Sequence, residues 1–519
     1  MRSIKLLSSL LMISITPLFI NAQQVNTLYF MKDVPVRHFL NPSFQPETDF
    51  YLSLPVIGFT QFNVGNNSLS LKDVIYNDAT GNTISFLNSN GNTLRFYNSL
   101  NANTLFRVDL QTNLLSFGFR HETAYWTFSL TEKTDGTVNV PKDLFQLSLF
   151  GTQSLQNNSF DFTKLQGDIS MYTEAALGYS KQLNETWTVG GKLKLLIGSS
   201  NLSNSNNQLL VNASSTQWSV KGQGTIRYSG PVQISASNNN QSFSFTTPTN
   251  TAAWLKPYGM GAGIDAGFEY RINNRMKLSG SLNDLGFIHW SKNTQNYQYQ
   301  VNSIFKGIKL FDNNSTNQTF QDVYNRLVSS NALVDSMVTA FKSSSGSKMS
   351  PNSYTTYTTA KLNIGFEYSL FKDKLSFGIL SYSQLFKNIP IEELTGSVNT
   401  RPFAWLDASL SYSVFNGRMS TLGAGIGLKT GLLHWFVAAD YIPFEKATLS
   451  LSDLGTNYPK INIPIPYNSR CFNLSVGMNI VMNKKEKENK FIKKPKNSSS
   501  LNLQNGLHQW DNGKDCNCD

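Results

Sequence analysis

Apolar and polar residues alternate along much of this chain. From Lys361 to Leu370, the apolar positions are Leu362, Ile364, Phe366, Tyr368 and Leu370; between them stand Lys361, Asn363, Gly365, Glu367 and Ser369. A turn, Phe371-Lys372-Asp373-Lys374, interrupts the pattern, which resumes with Leu375, Phe377 and Ile379. A period of two places the apolar residues on one face of a strand and the polar ones on the other. In a soluble sandwich the apolar face would be the core. In a membrane barrel it faces lipid, and the polar face lines the interior.

The same rhythm predicts strands over 49–64, 104–119, 123–133, 166–182, 186–203, 207–214, 216–230, 259–271, 276–290, 354–370, 375–387, 391–400, 404–414, 419–428, 432–442 and 469–482. Their connections segregate by length. Turns after residues 119, 182, 271, 370, 400 and 428 are short, whereas 65–103, 134–165, 231–258, 291–353 and 443–468 are long loops. Short turns at one end and long loops at the other are the outer-membrane barrel pattern, with the turns in the periplasm. Sixteen strands follow from this list, and fourteen if 207–230 is an extracellular hairpin.

The N-terminus supports an envelope location. Arg2 and Lys5 precede an apolar run from Leu6 to Ile20, and Ala22 precedes Gln23, the arrangement of a cleaved signal peptide over 1–22. No later stretch has the ~20 continuous apolar residues of a membrane helix. Only helices and closed barrels satisfy every backbone group in lipid. Charged residues make up 15% of the chain, below the ~25% usual for soluble domains. The expected fold is therefore all-β: a single transmembrane antiparallel β-barrel over 49–482, preceded by an N-terminal luminal hatch at 23–48. A basic disordered tail, 483–519, completes the chain, with both termini periplasmic.

Several segments resemble the fatty-acid-transporter-like outer-membrane barrels, and most of all a Bacteroidota branch of undefined function related to the barrel partners of type IX secretion. They are Asn41-Pro42-Ser43-Phe44, Val189-Gly190-Gly191-Lys192-Leu193-Lys194, Gly261-Ala262-Gly263-Ile264-Asp265-Ala266-Gly267-Phe268, Asn283-Asp284-Leu285-Gly286-Phe287-Ile288-His289-Trp290 and Ala438-Ala439-Asp440-Tyr441. The resemblance implies fourteen strands and a hatch segment in the lumen, whose Asn-Pro element is Asn41 and Pro42. Ser43 stands where the transporters usually have Ala. The function implied is passive uptake of small hydrophobic molecules. The alternative is a non-conducting barrel that docks a secretion or envelope-assembly complex.

Candidate chemistry is sparse. The inward phase carries Lys192, Lys194, Asp265, Glu269, Lys361, Glu367, Asp407 and Asp440, which are expected to pair across the lumen rather than hold a ligand. The five His residues (38, 121, 289, 434 and 508) have no metal spacing, and no catalytic motif occurs, so no enzyme activity, cofactor or metal is expected. His289 and His434 each precede a Trp, which reads as part of an interfacial aromatic girdle. One extracellular helix is expected within 291–353, where Phe320, Val323, Tyr324, Leu327, Val334, Met337, Val338 and Phe341 recur at helical spacing. Besides lipid, the expected partners are envelope proteins, reached through that loop or through the tail rich in Lys484–Lys496. Nucleic acid is excluded by the export signal. Cys516 and Cys518 fit either a local disulfide or two free thiols.

Overall fold

The computed structural model describes residues 26–77, 83–150, 159–213, 218–237, 242–305, 348–385, 391–415, 419–442, 446–450, 462–466 and 470–483. The expected signal peptide, the helix within 291–353, and Cys516 and Cys518 lie outside the described residues, as does the tail beyond Asn483.

Fourteen antiparallel strands close into a barrel. The first, β1, comes in two pieces, Phe50–Ser53 and Thr60–Asn66. The next six are β2 (Asn103–His121), β3 (Ala124–Pro141), β4 (Gln166–Gln182), β5 (Trp187–Ala213), β6 (Gly259–Arg271) and β7 (Met276–Trp290). They are followed by β8 (Ala360–Leu370), β9 (Leu375–Leu385), β10 (Ile391–Phe403), β11 (Leu406–Phe415), β12 (Met419–Thr430), β13 (Leu433–Ile442) and β14 (Cys471–Met482). Each strand pairs with the next, and β14 pairs back onto β1.

Alternation sets which face sees the outside. On β8, Ile364 is exposed while Asn363, Gly365, Glu367 and Ser369 are buried. Leu177, Leu193, Ile264, Ile379 and Leu410 are likewise exposed on their strands. So many large apolar side chains on one surface would aggregate in water; facing acyl chains, they are the outward band of a membrane barrel.

The connections at one end are tight. Leu406 follows Phe403 after two residues, and Leu433 follows Thr430 after two. Gly431 takes a positive φ of 61° there, a conformation that costs glycine nothing. In the turn between β8 and β9, Phe371, Lys372 and Asp373 are all left-handed. Aromatic residues collect on the outer face beside these turns: Trp126 against Tyr179, Trp187 against Tyr270, and Phe403 stacked on Trp405.

At the opposite end, several expectations need correction. The strand expected at 207–214 is the continuation of β5. Its partner Trp218–Ser229 pairs with that continuation and with Thr294–Phe305, above the closed ring, so 207–230 is a hairpin outside the ring and the ring has the expected fourteen strands, not the alternative sixteen. β3 runs to Pro141, well into the expected 134–165 loop, and Thr294–Phe305 is a strand within the expected 291–353 loop. Helices not anticipated from the pattern occupy Leu71–Val74, Thr93–Ser99 and Lys142–Phe150. The last of these packs Leu144 and Leu147 against Phe160, Phe162, Leu209 and Val220.

Candidate functional site

Residues 26–48 fill the lumen at the short-turn end. Two 3-10 turns, Thr27–Phe30 and Pro35–Phe39, are buried over most of their length. Pro35 opens the second turn, where its missing N–H costs nothing. Leu28, Tyr29, Phe30, Met31, Val34, Val36, Leu40 and Phe44 form an apolar core with wall residues Phe59, Leu380, Phe436 and Ala438. The wall makes room by presenting glycine inward. A Cβ on Gly365 would meet the ring of Tyr29, on Gly378 the ring of Phe30, and on Gly425 the sulfur of Met31.

Polar contacts tie this plug to strands all round the ring. Asn41 Nδ2 donates to Phe268 O at 3.3 Å and Gly280 O at 3.2 Å. Pro42 follows, and its carbonyl occupies the space a Cβ on Gly190 would need. Leu40 O accepts from Ser281 Oγ at 2.8 Å, Asn283 Nδ2 at 2.6 Å and Asn363 Nδ2 at 3.2 Å. Lys32 Nζ lies 2.9 Å from Glu367 Oε1. Asp33 N donates to Asp407 Oδ2 at 3.1 Å, and Thr27 N donates to Asp440 Oδ2 at 3.4 Å. Arg401 reaches from β10 to both Asp33 and Glu47, with Nη2 at 2.6 Å from Glu47 Oε2.

Burial tunes the plug's titratable groups. It pushes the Asp33 carboxyl up to about 7; Arg401 opposes this, and the Glu47 charge adds to it. Burial also acts to raise Glu47, but Arg401 outweighs it and holds that carboxyl below its usual value. Burial, reinforced by the Lys192 charge, drives His38 well below the ordinary imidazole value. Neutral His38 then shares a hydrogen bond between Nε2 and Tyr51 Oη at 2.5 Å.

Beyond the plug lies a layer of charge. Lys194 Nζ stands 2.7 Å from Asp265 Oδ1, 2.6 Å from Asp284 Oδ1 and 3.4 Å from Glu174 Oε2. Lys133 Nζ is 2.8 Å from Glu174 Oε2 and 2.9 Å from Asp284 Oδ1. Lys361 Nζ bridges Asp284 Oδ2 at 3.3 Å and Asp109 Oδ2 at 3.5 Å. Arg107 Nη2 contacts Asp109 Oδ2 at 3.3 Å, and its Nη1 donates to Gln384 Oε1. Arg107 is on β2 and Gln384 on β9, seven places apart in either direction around the ring. These side chains therefore span the lumen.

The structure thus divides the eight inward charges read from the alternation. Lys194, Asp265 and Lys361 join the cross-lumen layer. Glu367, Asp407 and Asp440 hold the plug. Lys192 rests its ammonium 4.6 Å over the Phe39 ring, between the two groups. Glu269 pairs locally with Lys277 at 3.4 Å. Sequence reasoning missed Arg107, Asp109, Lys133, Glu174 and Asp284 as members of the layer. Trp435 is exposed on the outer face, as a girdle residue should be, but Trp290 is fully buried and its Nε1 donates to Thr356 Oγ1 at 2.9 Å. The cause is a bulge: Ile264 pairs with Leu285 but Ala266 with Leu282. The extra residue exchanges the inner and outer phases of β7 beyond Asn283, so Ile288 and Trp290 face inward.

The wall itself is irregular at one place beside the plug. Ser53 pairs with Asn479 and Thr60 with Val476, so the six residues 54–59 oppose two on β14. Val56 and Ile57 are thrown onto the outer surface, and Val56 has a positive φ of 65°. Hydrogen bonds persist on both sides, from Val56 N to Asn113 O at 2.9 Å and from Met478 N to Ile57 O at 2.7 Å. Inside, the Phe59 ring stacks on Phe39 of the plug at 5.3 Å and lies 6.2 Å from Phe436.

Comparison with known proteins gives a family and several distant structural likenesses. No curated protein matches the chain. Among solved structures, the toluene transporter TodX of P. putida is similar at 10% identity and a TM-score of 0.36, over 86% of this chain and 93% of that one. A FadL homologue of Pseudomonas aeruginosa gives 10% identity and a TM-score of 0.41, over 89% and 99%. A porin of Rhodopseudomonas blastica gives 11% identity and a TM-score of 0.18, over 60% and 90%. Residues 42–440 match the model described as "Family of unknown function (DUF5723)". The chain belongs to that family.

Proposed function

We propose that the protein is a passive outer-membrane channel for small hydrophobic molecules, with residues 26–48 as its hatch. The observation that carries this reading is the bulge at 54–59. An apolar solute has no reason to leave a barrel into water when lipid lies beside it, because burying apolar surface is favourable by about 25 cal/mol per Å². At 54–59 the wall departs from its ladder, with Val56 and Ile57 on the lipid side and Phe59 on the lumen side. Among the described residues, Phe39 of the plug and Phe436 of the wall back Phe59 with aromatic rings. A small shift of the plug frees an apolar path from the lumen to the bilayer.

The test is uptake of labelled toluene by cells that carry the protein in their outer membrane, compared with cells that lack it. Faster accumulation is expected with the protein. Removing Pro55–Gly58, which restores the β1–β14 register, should abolish that gain while the barrel still folds. Equal uptake with and without the protein rejects the channel.

A second reading has its own support. The side chains joining Arg107 to Gln384 and Lys133 to Asp284 cross the lumen, which suits a barrel that conducts nothing and docks a secretion or envelope-assembly complex. A stoichiometric partner in detergent extracts, together with unchanged toluene uptake, would favour it.

A further inference from the structure

We propose that Asp284 is the hub of a charge barrier that seals the lumen to ions independently of the plug. The inference rests on the channel reading, and it assigns the element that keeps such a channel selective for uncharged solutes.

Asp284 owes its position to the bulge in β7. In a regular strand, a residue next to inward Asn283 would point to lipid. Asp284 instead adopts φ 59°, and its N–H donates to Asp265 Oδ1 at 2.7 Å. Asparagine and aspartate tolerate this left-handed conformation better than most residues. Bulges re-aim side chains, and here the carboxylate lies within 3.3 Å of three ammonium groups from three different strands: Lys133 of β3, Lys194 of β5 and Lys361 of β8. The backbone thus departs from regular strand at the residue where the charges converge.

Four cations and four anions of the layer pair with one another. Lys133, Lys194, Lys361 and Arg107 face Glu174, Asp265, Asp284 and Asp109, all at contact distances. A set of charges that satisfy one another offers a passing ion no partner to replace its lost water. The layer also adjoins the plug, since Asn283, the residue before Asp284, donates to Leu40 O at 2.6 Å. Two closures therefore stand in series, one apolar and one ionic.

The experiment is conductance of the full-length protein in planar bilayers. Gly267→Val displaces the plug by filling the space of Asn41 Oδ1. On its own it should leave the conductance low. Gly267→Val with Asp284→Asn should raise it on the order of tenfold and make it anion-selective, because three lysines lose their shared counter-charge. Gly267→Val with Lys361→Gln should conduct with cation selectivity. The opposite signs of reversal potential guard against general loosening, and heat-modifiable mobility in gels confirms that each variant is folded. The proposal is overturned if Gly267→Val alone conducts as well as the double variants, or if the two doubles share one selectivity. Ion current and toluene uptake are separate readouts, so either reading can fail without the other.

Discussion

Asn41 Oδ1 stands where a side chain on Gly267 would begin. The same asparagine donates from Nδ2 to Phe268 O and Gly280 O, which belong to a residue pair facing each other across β6 and β7. Its Oδ1 also accepts from Ser43 N at 3.0 Å and Ser43 Oγ at 2.7 Å, closing the turn that carries Pro42. The plug is therefore seated in a gap left by a missing Cβ and fixed by an amide that satisfies groups on both sides of that gap.

Gly267→Val should eject this turn without unfolding the barrel, because valine suits a strand better than glycine does. The expected loss is about 1–3 kcal/mol of plug docking from the buried groups left unpaired. Limited proteolysis reads it: residues 26–48 should become cleavable while the gel mobility of the folded barrel persists. Continued protection of that segment would show that Asn41 does not anchor it.

Docking of the plug should depend on pH through Asp33. Its carboxyl is raised from 3.8 to about 7, so the plugged state holds a proton that the free segment has released. A raised acid favours the plugged state at low pH, and this advantage is lost as pH rises from about 4 to 7. Glu47 is shifted the other way, so its contribution disappears only as pH falls below its usual range. With the intrinsic base-catalysed rise divided out, the protection of the plug's amides should fall between pH 5 and 7, by up to about tenfold per pH unit for one linked proton, and Asp33→Asn should flatten that fall. An unchanged profile in Asp33→Asn would assign the titration elsewhere.

Five of the eight tryptophans should divide into two classes. Trp126, Trp187, Trp405 and Trp435 are exposed on the outer face, whereas Trp290 is fully buried inside. Brominated phospholipids should quench the first four and spare Trp290. Trp290→Phe should then increase the quenched fraction of the emission, and Trp435→Phe should reduce it. The reverse result would turn β7 back to the regular phase.

The sequence made the barrel legible because a period of two survives anywhere a strand is regular. Lys192, Lys194, Asp265 and Lys361 could be placed in the lumen from parity alone. Lys133 and Glu174 lie in the same inward phases, beside Thr131 and Ala176, and a stricter reading of parity finds them. Asp284 is different. A bulge shifts phase without any glycine or proline at the shifted residue, so neither its inward aim nor the inward Trp290 could be inferred from alternation. The irregularity in β1 did leave a trace: Pro55 interrupts a strand pattern, and proline withholds a ladder donor. How the lysines from separate strands meet at one carboxylate depends on the curvature of the whole ring, which no local pattern encodes.

The break in β1 has a consequence for how the ring is held shut. β1 and β14 are its first and last strands, so their junction is the seam that turns a sheet into a cylinder. Every other neighbour pair is joined by a chain connection as well as a ladder; this one has the ladder alone. That ladder is divided into Phe50–Ser53 and Thr60–Gly65, with Val56 and Ile57 thrown outward between them. The barrel closes like a clasp, and Phe39 lies against the inner side of its catch.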